Sequence, residues 1–187
     1  MRGIALVVLA GITLSGPVQA EDLGPRLAAS RAAVKDFSET LRNALQGAIK
    51  EGGPINAISV CNKQAPGIAA TISKYQGLSI GRTSLKIRNP NNAPDEWELA
   101  VLKSFEEQKA AGIDPATLEH HEVVERDGVR LLRYMKAIPT QSVCLNCHGS
   151  KLAPDVAEKI KALYPDDKAT GFSEGDLRGA FTISQRL

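Results

Sequence analysis

The chain is short of cysteine, of net charge and of long apolar segments. It has 3 cysteines in 187 residues, too few for a fold held together by a disulfide framework. Its 23 lysines and arginines nearly balance 21 aspartates and glutamates, which is not the pattern of a nucleic-acid binder or a disordered chain. Beyond the N-terminus there is no second long apolar run, so we expect no stable membrane anchor.

The first twenty residues have the pattern of a secretory signal peptide. Arg2 supplies a short positive region, and an apolar run follows from Ile4 to Leu14. That run is too short to span a membrane, which takes about 20 apolar residues. Small residues ending at Ala20 form a cleavage site. We expect residues 1–20 to be removed after Ala20 and the mature chain to be exported to the periplasm.

The mature chain, residues 21–187, has the size of one domain. The whole sequence is 20.0 kDa and 43% hydrophobic, enough for one core and too little for two independent ones. Helical spacing of apolar residues comes first, and strand patterns follow with helical segments between them. This order favours an α+β fold with N-terminal helices and one mostly antiparallel sheet.

Turn residues divide the predicted elements. Gly52-Gly53 separates two N-terminal helices, and Pro66 is expected to break or kink the second. Asp127-Gly128 between two apolar runs is typical of a hairpin with a type I′ turn. The predicted elements are helices over 22–50 and from 54 onward, a strand over 78–87, a helix over 94–111, hairpin strands over 122–126 and 129–138, a helix over 155–163 and a last strand over 177–185.

One motif carries a specific chemistry. Residues 144–148 read Cys-Leu-Asn-Cys-His, the Cys-x-x-Cys-His pattern of c-type haem attachment. The thiols of Cys144 and Cys147 can add to the two vinyl groups of one haem, and His148 then reaches the iron. Such attachment is completed outside the cytoplasm, so the motif and the predicted signal peptide support each other. We predict one covalently bound haem c.

Two other interpretations of the motif are available. A zinc site using Cys144, Cys147 and His148 would need a fourth ligand, and structural zinc usually takes a second, separated ligand pair. A disulfide or redox pair of the two cysteines is possible in an oxidising compartment. Haem attachment needs no further ligand pair and agrees with the predicted export, so we take it as the interpretation of the motif.

The second axial ligand of the iron is less evident from the residues alone. Small c-type cytochromes usually take a methionine downstream of the motif, but residues 149–187 contain no Met, His or Cys. An unpaired cysteine in an exported protein, here Cys61, calls for an explanation. Free cysteine is also often a small buried hydrophobe. The candidates are Cys61, His120, His121, Met135, a lysine, or an open site.

Three segments together resemble a known family. They are Val60 to Pro66 around Cys61, the long block from Gly81 to Glu98, and the motif continued to Gly149. In this order they resemble a family of exported single-haem c-type domains of unknown function, over most of the mature chain. The resemblance implies a PAS-like sensor fold with Cys144 and Cys147 as thioether links. It also implies His148 as proximal ligand and Cys61 as distal ligand.

A cation near the haem would pair with a propionate, because a buried carboxylate needs a cation or hydrogen-bond donors. Arg82, Lys86 and Arg88 lie on or near one predicted strand, and we take Arg82 and Arg88 as the candidates. The alternative is a solvated strand face.

The resemblance favours a periplasmic redox or small-gas sensor over other functions. In this interpretation reduction weakens the hold of the iron on Cys61, and its release opens a site for a gas. The alternative is a low-potential electron-transfer cytochrome. We do not expect an enzyme, because Cys61 on the iron would block the open distal site that a peroxidase needs. The partner would be an unidentified redox or signalling protein, with no nucleic acid involved.

Overall fold

The two N-terminal helices are divided at Gly52 and Gly53, as the sequence predicts. The structure, a computed structural model, describes residues 22–187, so the predicted signal peptide lies outside the described residues. Helix α1, Gly24–Ser59, leaves the helical conformation at Gly52 (φ −155°, ψ 23°) and Gly53 (φ 70°, ψ −168°). The positive φ of Gly53 is a conformation that glycine adopts without steric cost.

A wide π-helical turn, Val60–Gln64, connects α1 to helix α2, Ala65–Gln76. In this turn the N–H of Ala65 donates to a carbonyl five residues back. Pro66 follows in the first turn of α2, where its missing N–H costs least. The disturbance predicted at Pro66 therefore takes the form of a widened turn just before it, and this turn carries Cys61.

The described residues include four strands: β1 Ser79–Thr83, β2 Glu119–Arg126, β3 Val129–Pro139 and β4 Leu177–Arg186. They form one antiparallel sheet in the order β1-β4-β3-β2. Asp127 (φ 53°) and Gly128 (φ 72°) both have the positive φ of a type I′ hairpin turn. The predicted α+β class with an antiparallel sheet is confirmed, and the sheet is consistent with a PAS-like fold.

Strand β1 is shorter than the strand predicted over 78–87, because Ser84 ends it. The Ser84 hydroxyl accepts from the Lys86 N–H at 3.2 Å and donates to the Arg178 carbonyl at 2.8 Å. Such local bonds compete with strand pairing and turn the chain. Leu85, predicted to lie inward or near it, is instead 40% exposed, and Arg88 lies beyond the strand.

Helices cover both faces of the sheet. On one face α1 and α2 pack on β1, β3 and β4, with Phe37 and Phe181 ring centroids 5.6 Å apart. On the other face lies α3, Glu96–Ala110, which begins with a capping box between Asp95 and Glu98. Its buried side chains pack against Met135 and Ala180.

Two shorter helices follow β3: α4, Leu145–His148, and α5, Pro154–Leu163. Helix α4 contains most of the Cys-x-x-Cys-His motif, and α5 packs against the end of α1. Within residues 22–187, no helix is both long and apolar enough to cross a membrane.

Glu119 gives the fold a pH-dependent contribution. It accepts hydrogen bonds from Arg31 and from the Tyr134 hydroxyl. The Arg31 hydrogen bond is the main cause that lowers the pKa of Glu119 from 4.5 to about 2. A depressed carboxyl pKa stabilises the fold above pH 4.5, and this contribution is lost as the pH falls from 4.5 toward 2.

We therefore expect Glu119→Gln to lower the free energy of unfolding at pH 7 by roughly 1 kcal/mol. The figure is modest because the side chains of Arg31 and Glu119 are 52% and 28% exposed. In urea denaturation, the free energies of unfolding of Glu119→Gln and the unmutated protein should become more similar as the pH falls from 4.5 to 2. Glu125→Gln, an exposed change on the same strand, is the control. A Glu119→Gln difference that stays constant over this pH range would contradict the assignment.

Candidate haem site

The Cys-x-x-Cys-His motif folds as two consecutive short turns. A 3-10 turn, Ser142–Cys144, runs directly into α4, so Cys144 and Cys147 are three helical positions apart. Residues at this spacing share one face of a helix. All three cysteines of the chain are free thiols. The local fold thus presents the two motif thiols together, as attachment to one haem requires.

His148 is held as a neutral ring with a fixed hydrogen position. Its Nδ1 lies 2.7 Å from the Ala169 carbonyl oxygen. A carbonyl can only accept, so Nδ1 carries the hydrogen and Nε2 keeps its lone pair. Burial, reinforced by the cations of Arg178 and Arg88, lowers the pKa of His148 to about 2. This is the protonation state that an imidazole iron ligand needs.

Arg88 and Asp167 form a buried ion pair that fixes the motif in place. Arg88 Nε and Nη2 bond the two Asp167 oxygens, each at 3.0 Å, and both side chains are 9% exposed. Arg88 Nη2 also donates to the carbonyls of Cys147 at 2.7 Å and Ala169 at 3.1 Å. The Ala169 N–H donates to Asp167 at 2.9 Å. Arg88, predicted as a propionate contact, thus binds two backbone carbonyls next to His148: that of the preceding residue, Cys147, and that of Ala169, which accepts the His148 hydrogen bond.

Cys61 lies in the same region as the motif. Cys147 packs beside the cluster of Ile58, Tyr164 and their neighbours, which joins the end of α1 to α5. The Asn62 amide, next to Cys61, donates to the Tyr164 hydroxyl at 3.0 Å. A charge on Cys61 acts on Cys147, whose thiol pKa is raised mainly by burial. The π-helical turn is therefore tied to the wall of the site through Asn62.

Arg82 and Arg178 bring two more cations to this region, one from β1 and one from β4. Burial is the first cause that lowers the pKa of both, to about 10 for Arg178. Arg178 Nη1 donates to the Ser84 hydroxyl at 3.1 Å, but its Nε is buried without a partner. A buried donor without an acceptor is costly. The site therefore fits a group that carries acidic oxygens, as haem does.

Four residues of the site were not predicted from the sequence: Asp167, Ala169, Phe172 and Arg178. The Phe172 N–H donates to the His148 carbonyl at 3.0 Å, and its ring stands edge-on to the imidazole at 6.2 Å. Ala169 acts through its backbone, which leaves no signal in the side-chain pattern. Arg178 does leave one, since it is a cation within the predicted last strand.

The other predicted ligands lie elsewhere. His120 and His121 are exposed on β2, at the edge of the sheet opposite β1. Met135 is fully buried in the core beneath α3. Among residues 22–187 no three His, Cys, Asp or Glu side chains are grouped to hold a metal ion. The zinc interpretation of the motif therefore has no ligand set in the described chain.

Comparison with known proteins agrees with this architecture. The family model described as Tll0287-like matches residues 20–186. A structure described as the crystal structure of the cyanobacterial heme-protein Tll0287 aligns with a TM-score of 0.63 and 24% identity. The alignment covers 88% of this chain and 96% of that one, and at this identity it shows a shared fold. No curated protein is significantly similar to the chain.

Proposed function

We propose, because this chain belongs to the Tll0287-like family, that it is a periplasmic protein carrying one covalent haem and acting as a redox or small-gas sensor. The solved structure with the same fold is described as that of a heme protein. The predicted signal peptide supports export, and a separate redox or signalling protein would receive the output. The proposal includes no reaction on a substrate, no nucleic acid and no membrane anchor.

One observation carries the proposal: the turn that carries Cys61 is linked, through the Asn62–Tyr164 hydrogen bond, to the cluster beside Cys147, although the two segments are far apart in the sequence. Cys144 and Cys147 would form the thioether links, and His148 would bind the iron through Nε2. Cys61 would supply the second axial ligand. This assignment uses every cysteine of the chain and the neutral state of His148.

The chemistry of switching then depends on Cys61. A bound haem supplies an iron that takes up one electron and, when ferrous, binds small gases. Cys61 as a thiolate favours the ferric state and lowers the reduction potential. If a partner protein supplied one electron, Cys61 would take up one proton from water and become a thiol, a much weaker ligand than the thiolate. His148 stays in place because Ala169, Asp167 and Arg88 hold it.

The π-helical turn supplies a segment that can respond to this change. Its wide hydrogen-bond pattern is bounded by Pro66, which cannot donate to the preceding turn. π-Helical turns recur at functional sites for such reasons. If Cys61 were released, the turn would lose one constraint and would keep the Asn62–Tyr164 bond as its link to the cluster beside α5.

The test compares electron paramagnetic resonance spectra and carbon monoxide binding of the holo-protein. We expect the oxidised protein to give a low-spin thiolate signal that is absent in Cys61→Ala. After reduction with dithionite, the unmutated protein should bind carbon monoxide as Cys61 dissociates. His120→Ala combined with His121→Ala is the control, because both histidines lie far from the motif. This control should keep the original spectrum.

The opposite results are also informative. A spectrum unchanged by Cys61→Ala would overturn Cys61 ligation. A reduced protein that stays six-coordinate and never binds carbon monoxide would overturn the switch. Reversible, symmetric voltammetry in that case would support the low-potential electron carrier instead.

A further inference from the structure

The site contains more cations than protein carboxylates. Three arginines lie close enough to lower the pKa of His148 through their charges: Arg82, Arg88 and Arg178. The charges of Arg88 and Arg82 also lower the pKa of Arg178. Asp167 compensates Arg88, to which it is bonded twice. Within the described residues, neither the Arg82 nor the Arg178 side chain forms an ion pair, and the Arg82 guanidinium makes no hydrogen bond. Two positive charges are therefore left without a carboxylate partner.

Leaving these charges unpaired is unfavourable. Removing a guanidinium from water without a counter-charge is costly. Repulsion adds to this cost, since Arg88 and Arg82 follow burial among the causes that lower the pKa of Arg178. The fold nevertheless brings all three arginines to one place. An anionic group that binds here would remove the penalty.

The two unpaired guanidiniums are held in similar ways. Arg82 lies over the Phe37 ring at 5.5 Å, and Arg178 lies over the Phe172 ring at 5.2 Å. An aromatic face fixes a guanidinium from one side while its N–H groups stay free to bind an anion in the plane. In Arg178 the unpartnered donor is Nε, which together with a terminal nitrogen can hold one carboxylate through two hydrogen bonds.

We infer that Arg82 and Arg178 form the binding site for the two haem propionates, while Arg88 serves to position the motif. This inference rests on the proposed haem-binding function. Its support is the match between two uncompensated arginines and the two carboxylates of one haem. Cys61 does not supply the missing negative charges, because a thiolate on ferric iron is offset by the net positive charge of the ferric porphyrin centre.

The inference separates Arg88 from the pair predicted from the sequence and puts Arg178 in its place. Arg88 already donates through Nε and Nη2 to three protein groups. Arg178 lies on β4 next to β1, which carries Arg82, so adjacent strands present the two cations. The sheet edge beside the motif thus becomes the anion-binding wall of the site.

The test uses resonance Raman spectra of the holo-protein, in which the propionate bending bands report hydrogen bonding to the carboxylates. We expect Arg82→Gln and Arg178→Gln each to shift a propionate band, whereas exposed Arg42→Gln leaves both bands in place. Each loss of charge should also favour the ferric state about tenfold, or about 59 mV for one electron. The potential alone would move for any nearby charge, so the Raman bands decide.

Several outcomes are distinguishable. Propionate bands unchanged in Arg82→Gln and Arg178→Gln would overturn the inference while leaving haem binding intact. If Arg178→Gln does not fold, Arg178→Lys keeps the charge but not the two-point contact, and its propionate band should still shift from that of the unmutated protein, whereas an unchanged band would overturn the inference. An unmutated protein without covalent haem in its mass spectrum would overturn the proposed function and this inference together.

Discussion

Cys144→Ala combined with Cys147→Ala is expected to abolish covalent haem attachment. The two thiols are placed to form the thioether bonds, because they share one face of the turn around α4. The intact mass of protein made in a host that attaches haem should match the apo chain. A denaturing gel stained for haem should be blank.

Cys61→Ala is the matched control for this prediction. It also removes one thiol from the site, but the proposal gives Cys61 to the iron and not to a vinyl group. Its mass should include one haem, and its gel band should stain. A chain that keeps covalent haem without Cys144 and Cys147, or loses it without Cys61, would contradict the assigned roles.

Gly179→Ala is expected to destabilise the fold by at least about 3 kcal/mol. Gly179 has φ 154°, and a Cβ there would lie 2.3 Å from the Thr83 carbonyl oxygen and 3.0 Å from the Ser84 Cβ. Both neighbours belong to the chain at the end of β1, so relief requires the two strands to separate. Urea denaturation of the holo-protein measures the change in free energy of unfolding.

Gly81→Ala provides the comparison on the adjacent strand. A Cβ at Gly81 would meet only the Thr182 Cγ2, at 3.7 Å, an ordinary contact distance. Its effect should stay within about 1 kcal/mol. Equal effects of the two substitutions would show that the close approach of β4 to β1 at Gly179 does not limit stability.

The parts of the fold that were predictable have local causes. Asp127 and Gly128 specify the hairpin because a type I′ turn needs positive φ at both positions, and Gly52-Gly53 stops a helix for similar reasons. The end of β1 was not predictable from strand propensity. It depends on Ser84 reaching the Arg178 carbonyl, which comes close only after β4 pairs with β1.

The same distinction applies to the site. The motif is contiguous, so its thiols and histidine can be recognised in the sequence. Arg82 and Arg88 look equivalent there because both are cations near one strand. Only the folded chain separates them, since Asp167 follows α5 and reaches Arg88 across the site. Ala169 acts through its backbone carbonyl, which every residue type has. The residue type at position 169 therefore gives no sequence signal for this role.

The strand order has a consequence for when the domain can fold. Strand β4 follows all the other strands in the sequence, yet it lies between β1 and β3. Pairing of β1 with the rest of the sheet must therefore wait until residues 177–186 are available, and contacts this distant in sequence form slowly. Residues 144–148 precede Ala169 and Arg178 in the chain. On the proposed route of export and haem attachment, the two thiols would therefore be accessible before the later parts of the site pack around them.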